Sequence, residues 1–131
     1  MSEVLFVCTG NAARSQFAEA IYGNRFAESV SSAGTEAIVG KPLPEDVLTV
    51  LNEQGLEADD LYRKQLNVNL VATAKKLILM AEGSLPPYLD NAKNIIFWSI
   101  EDPRGKGLDA HRVAFEEVRS AIEKEFDEGQ S

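Results

Sequence analysis

Three short apolar runs, Val4-Leu5-Phe6-Val7, Leu77-Ile78-Leu79-Met80 and Ile95-Ile96-Phe97, set among stretches of helical period, constrain this chain more than any other feature. Runs that short and that uniformly apolar belong to strands covered on both faces, as in a parallel sheet between helices. Glu3 to Val7 therefore reads as the first strand, Lys76 to Ala81 as the third and Asn94 to Trp98 as the fourth. Ser29 to Ala33, ended by Gly34-Thr35, fits a second strand between them.

The intervening segments carry the other half of the pattern. From Ser15 to about Phe26, the residues Phe17, Ala18, Ile21, Tyr22 and Phe26 recur at helical spacing, while Glu19, Asn24 and Arg25 face water. Pro44-Glu45-Asp46 opens a second helix, with acidic residues in its first turn, Gly55 just past its end and Val47, Leu48 and Leu51 as its buried side. Asn67 caps a short helix through Ala74, and Pro86-Pro87 breaks the chain. A last helix bears Leu108, Phe115, Val118, Ile122 and Phe126 at intervals of three and four, before an acidic tail from Asp127 to Ser131 that frays. Strands alternating with helices predict an α/β chain of three layers, a doubly wound fold with a four-stranded parallel sheet flanked by helices. With 131 residues and no internal repeat or low-complexity linker, one domain over residues 1–131 is expected.

Charge and rare residues narrow the function. A net charge of -8, from 21 acidic against 13 basic residues, repels nucleic acid and anionic membrane, so neither is expected as a partner. No apolar run is long enough to span a bilayer and no leader pattern opens the chain, which reads as a cytoplasmic protein. There is one cysteine, Cys8, and one histidine, His111, so neither an intrachain disulfide nor a Cys/His metal cluster can be assembled, and no metal or other cofactor is expected. His111 reads as a solvated residue on the polar face of the last helix.

The chemistry concentrates in Cys8-Thr9-Gly10-Asn11-Ala12-Ala13-Arg14-Ser15, which joins the carboxyl end of the first strand to the first helix. Open parallel sheets bind ligands there. A loop of this length can turn several backbone N–H groups inward, and the helix adds the positive end of its dipole, making a nest for an anion. In such a nest Arg14 presents a planar fork to two oxygens of a tetrahedral oxyanion, and the surrounding donors favour Cys8 as thiolate. Gly10 permits close backbone approach, Asn11 tolerates left-handed geometry while its amide ties the loop, and Ser15 is placed to donate to the Cys8 sulfur. Thr9, Ala12 and Ala13 supply backbone N–H groups to the same nest. On the residues alone, Cys8 also fits a small buried hydrophobe, Asn11 a turn residue and Ser15 a helix cap.

With Ser32-Ala33-Gly34-Thr35, Gly40-Lys41-Pro42 and Asp102-Pro103 following in order, the chain resembles the low-molecular-weight protein tyrosine phosphatases, a family that includes the thioredoxin-coupled arsenate reductases. The resemblance implies a phosphomonoesterase with Cys8 as nucleophile, Arg14 as oxyanion ligand and Asp102 as general acid, acting on a phosphomonoester substrate, a phosphotyrosine protein among the candidates. Asp102-Pro103 taken alone is also an ordinary turn dipeptide. The alternatives are an arsenate reductase that draws on an external thiol or a glutaredoxin-type partner, and an oxyanion-binding module without turnover.

The chain departs from that family's pattern in three places. Ala13 stands where many members carry a second cysteine, so oxidation of Cys8 is expected to follow the sulfenic acid route. The stretches Glu36-Ala37-Ile38-Val39-Gly40 and Pro103-Arg104-Gly105 lack the aromatic residues that wall the pocket of phosphotyrosine enzymes, leaving Ile38 as the apolar wall. Met80-Ala81-Glu82-Gly83-Ser84 lacks the resolving cysteines of the thioredoxin-coupled reductases.

Overall fold

In the computed structural model, which describes residues 3–26, 29–82, 85–90 and 92–127, the first apolar run is buried along its whole length and occupies the interior of the sheet. Strand β1 (Val4–Cys8) pairs in parallel with β2 (Val30–Gly34) on one side and with β3 (Lys76–Leu79) on the other, and β3 pairs in parallel with the edge strand β4 (Ile95–Phe97). The order is β2-β1-β3-β4. The chain thus leaves β1 towards one edge and later returns to its opposite side, which opens a crevice at the carboxyl end of β1, where Cys8 lies level with Gly34.

Alternation along β1 sorts the core into two layers. Val4, Phe6 and Cys8 face α1 (Arg14–Arg25), α2 (Glu45–Glu53) and α4 (Leu108–Ile122), whereas Leu5 and Val7 face α3 (Val68–Thr73) and the 3-10 turn Pro87–Leu89. The three-layer doubly wound architecture read from the sequence is the one found. Aromatic rings close the first layer: Phe17 meets Phe115 edge-on at 5.3 Å, and Tyr22 meets Phe126 of the π-helical turn Glu123–Asp127 at 4.9 Å.

Two local expectations are corrected. Leu48 is 41% exposed, because the buried stripe of α2 runs through Val47, Val50 and Leu51 instead. His111 is 4% exposed, since the face of α4 that carries it turns towards α2, where Asp46 lies. Asn67 does cap α3, its side chain accepting from the Leu70 N–H at 2.9 Å. The expected fraying of the tail beyond Asp127 falls outside the described residues. Among the described residues no helix is long and apolar enough to cross a membrane.

Because Phe17 and Phe115 join α1 to α4 with no exposed surface to relax into, Phe17→Ala is expected to cost about 3–5 kcal/mol. Urea unfolding checks it: the midpoint falls while the slope stays constant.

Candidate active site

Leaving β1, the chain cannot continue as strand, because Asn11 adopts φ 50° and the helix begins at Arg14. Asn11 is fully buried and its side chain is saturated. Its Nδ2 donates to Ser15 Oγ at 2.7 Å and to Ser32 Oγ at 2.9 Å, and its Oδ1 accepts from the Lys64 N–H at 2.7 Å. A backbone N–H can only donate, so the Lys64 contact fixes which end of the amide is which. Ser15 Oγ, already accepting from Asn11, lies 2.9 Å from Cys8 Sγ with its own proton free to point there.

The loop's backbone is held from outside as well. Thr35 N–H donates to the Cys8 carbonyl at 3.0 Å and Glu36 N–H to the Thr9 carbonyl at 2.8 Å, while Gln16 Nε2 bridges the carbonyls of Asn11 and Tyr62 at 3.0 and 2.9 Å. In these contacts the loop backbone takes part through the carbonyls of Cys8, Thr9 and Asn11. Its N–H groups are left over: among the described residues, those from Thr9 through Ser15 donate to no acceptor. A consecutive set of unpaired donors at a helix start is a site for an anion.

Arg14 is 2% exposed, and its Nη1 is spent on the carbonyls of Met80 and Ile100, at 2.8 and 3.0 Å, and on Glu82 Oε1 at 2.6 Å. Its Nε and Nη2 form no hydrogen bond among the described residues, so one edge of the guanidinium fork remains open. Asp102 Oδ2 lies 3.6 Å from that edge at Nη2, while Oδ1 accepts from the Arg104 N–H at 3.0 Å. The turn and the ion pair thus use different oxygens of one carboxylate.

Cys8, Gly10, Ala12, Ala13, Arg14 and Asp102 line one cavity of about 740 Å³. Thr9, Asn11 and Ser15 do not line it; Asn11 and Ser15 brace the loop through their side chains, and Thr9 through its carbonyl. Ile38, Lys41, Arg63, Arg104 and His111 complete the wall, with no aromatic carbocycle among the lining residues. A groove of the same volume between β4 and α4, lined by Phe97, Trp98 and Val113, contains no residue of the Cys8 loop.

Sequence reading did not assign roles to three residues here. Gly34 looked like the end of a strand, yet a Cβ there would sit 2.6 Å from the Thr9 carbonyl oxygen and 2.8 Å from the Asn11 nitrogen. Gln16, a polar residue of α1, is fully buried. Arg63 lies in a stretch without periodicity and gave no signal. It is 7% exposed; burial pushes its guanidinium below its usual pKa, and the Cys8 sulfur opposes that shift.

The chain is similar to known proteins over nearly its whole length. The family model described as "Low molecular weight phosphotyrosine protein phosphatase" matches residues 3–128. An arsenate reductase of Bacillus cereus (strain 03BB102) is 27% identical over 130 residues, covering 92% of this chain and 91% of its own. The solved YwlE arginine phosphatase from Geobacillus stearothermophilus superposes with a TM-score of 0.84 at 27% identity, over 99% of this chain and 94% of its own. A low molecular weight protein tyrosine phosphatase from T. tengcongensis gives 0.84 at 27% identity, over 98% and 99%.

Gly34→Ala is expected to weaken binding of inorganic phosphate about tenfold or more, because the new methyl displaces the loop at Thr9 and Asn11. Calorimetric titration with phosphate reads the effect, and unchanged affinity would show that the loop shifts without cost.

Proposed function

This chain belongs to the low molecular weight phosphotyrosine protein phosphatase family, and we propose that it is a phosphomonoesterase working through a phosphocysteine on Cys8. The observation that carries the proposal is the unpaired run of N–H groups from Thr9 to Ser15, with Cys8, the open edge of Arg14 and Asp102 on the same cavity. The likeness to relatives at 27% identity spans an arsenate reductase, an arginine phosphatase and a tyrosine phosphatase, so side-chain chemistry selects among them.

In the first step Cys8 Sγ attacks phosphorus in line, the bond to the leaving oxygen breaks, and Asp102 gives that oxygen its proton. The loop N–H groups and the Nε–Nη2 edge of Arg14 bind the equatorial oxygens and stabilise the charge that builds on them. Ser15 donates to the sulfur as it leaves in the second step, when water attacks phosphorus, the S–P bond breaks and Asp102 takes the water's proton. No step calls for a metal, because the loop and Arg14 supply the positive field that metal ions provide in other phosphoryl-transfer enzymes.

A second reading is favoured by the arsenate reductase relatives. Arsenate has the shape of phosphate and suits the same nest, but releasing it as arsenite requires a further thiol, and this chain has one cysteine. Reduction then depends on an external thiol or a thiol-bearing partner such as a glutaredoxin.

The purified protein alone is expected to hydrolyse small aryl phosphates, with little preference for phosphotyrosine peptides because the cavity lacks an aromatic wall. Cys8→Ser should abolish turnover and retain phosphate binding, and Arg14→Lys should lose both for want of the bidentate fork. Asp102→Asn should slow hydrolysis roughly 100- to 10,000-fold, less for good leaving groups. Steady-state assays across leaving groups measure this, and a full effect at Glu101→Gln instead would move the acid by one residue. Arsenite production with thioredoxin and its reductase as the only thiol source would overturn the cysteine argument.

A further inference from the structure

Arg63 is held by the loop it faces. The carbonyl of Tyr62 accepts from Gln16 Nε2, the N–H of Lys64 donates to Asn11 Oδ1, and the carbonyl of Lys64 accepts from the Gly34 N–H at 2.8 Å. Both of its chain neighbours are therefore bonded to groups that shape the Cys8 loop. Lys64 itself turns away, to Glu19 at 3.4 Å, and Arg63 turns into the Cys8 cavity.

The two arginines differ in how their charge is met. Arg14 has Glu82 and Asp102 beside it. Arg63 has one hydrogen bond, from Nη2 to the Pro42 carbonyl at 3.0 Å, and its buried Nε has no partner. Among the described residues no carboxylate lies within ion-pair distance of it, although Glu36, Glu45 and Asp46 line the same cavity. A guanidinium has five N–H donors, and buried charges in folded proteins are paired. Here no carboxylate among the described residues meets that charge, and the negative group that acts on it is the Cys8 sulfur.

The loop N–H groups and the open edge of Arg14 offer donors enough for the three equatorial oxygens of a phosphoryl group, which leaves the Arg63 guanidinium available to another anion. The cavity, at about 740 Å³, also has room for an organic substituent beyond the phosphoryl group. Through its bond to Pro42, Arg63 belongs to the wall formed by the β2–α2 connection, together with Ile38 and Lys41. We infer that Arg63 is a second substrate-binding arginine, which selects phosphomonoesters carrying a further anionic group on their organic part. The inference deepens the proposed function and rests on reading the Cys8 loop as the phosphoryl site.

Binding of non-hydrolysable probes tests it independently of turnover. Phenylphosphonate and its 2-, 3- and 4-carboxy derivatives are titrated into the wild-type protein, Arg63→Met and Arg63→Lys, with thermal melts to establish folding. A charge-assisted pair at Arg63 is expected to make at least one carboxy isomer bind the wild type about tenfold or more tighter than phenylphosphonate. Arg63→Met should erase that preference and Arg63→Lys should keep part of it. The inference is overturned if no isomer is preferred, if the preference survives in Arg63→Met, or if that variant weakens all the phosphonates equally, which would assign Arg63 to the phosphoryl group. Should Arg63→Met fail to fold, an undiminished preference in Arg63→Lys would overturn it too, since a point charge cannot reproduce the fork. Wild-type protein that binds the phosphonates but never hydrolyses phenyl phosphate would remove the proposed phosphatase activity and leave the Arg63 result standing.

Discussion

One buried amide governs the shape of the Cys8 loop. Asn11 sits at φ 50°, a conformation that asparagine tolerates better than most residues, and its side chain joins three separate parts of the fold: Ser15 on α1, Ser32 on β2 and the backbone of Lys64. Every polar atom of that side chain is partnered. Because the carbonyls of Cys8, Thr9 and Asn11 are also engaged from outside, the loop's N–H groups are what remains to face a ligand. Leaving buried donors unpaired is costly, and the cost is met by the surrounding hydrogen bonds rather than by the loop itself. Gly34 completes the arrangement from the other side, since any side chain there would overlap the loop backbone.

The proposed function requires an acidic protein to attract an anion. The global field of a chain at -8 is unfavourable, so attraction has to be local and shielded from solvent. Two nearly buried arginines, the helix start and the loop N–H groups bring positive groups around Cys8 in a cavity that Glu36, Glu45, Asp46 and Asp102 also line, while most of the ion pairs elsewhere, such as Arg112 with Glu53 and Arg119 with Glu123, lie at the exposed surface. Glu82 and Asp102 flank Arg14 without closing its Nε–Nη2 edge. The fork is thereby oriented by one nitrogen and left open at the other two.

What could be read from the sequence tracks how local the cause is. β1 and β3 were legible because burial on both faces leaves a continuous apolar run, whereas β4 carries such a run at the sheet edge with Phe97 69% exposed. The α3 cap at Asn67 was legible because capping is a contact between near neighbours. The loop's character followed from its place between strand and helix, with its glycine, asparagine and arginine. Leu48 was misjudged because the α2 pattern allows two adjacent stripes and the packing of α4 decides between them. His111 was taken for solvated because nothing in α4 reveals that Asp46 lies opposite. Gly34 and Arg63 act across long separations in sequence, through a Cβ that is absent and a wall built by the β2–α2 connection, and neither leaves a periodic trace.

Cysteine count and cavity wall bear on different halves of the function. With Cys8 as the single thiol, a covalent intermediate on sulfur has no internal partner to attack it, so its fate is decided by water or by a thiol from outside. Water suffices for a phosphocysteine and leaves the cysteine in its original state, whereas reducing arsenate consumes two electrons that this chain cannot return by itself. The wall is independent of that choice. An aromatic wall would favour a flat ring whatever its charge, but a wall carrying Arg63 beside Ile38 and Lys41 favours charge over shape. On the proposed function, substrate preference in this chain turns on which residues the β2–α2 connection and the 62–66 segment bring to the loop, while the proposed reaction stays with Cys8, Arg14 and Asp102.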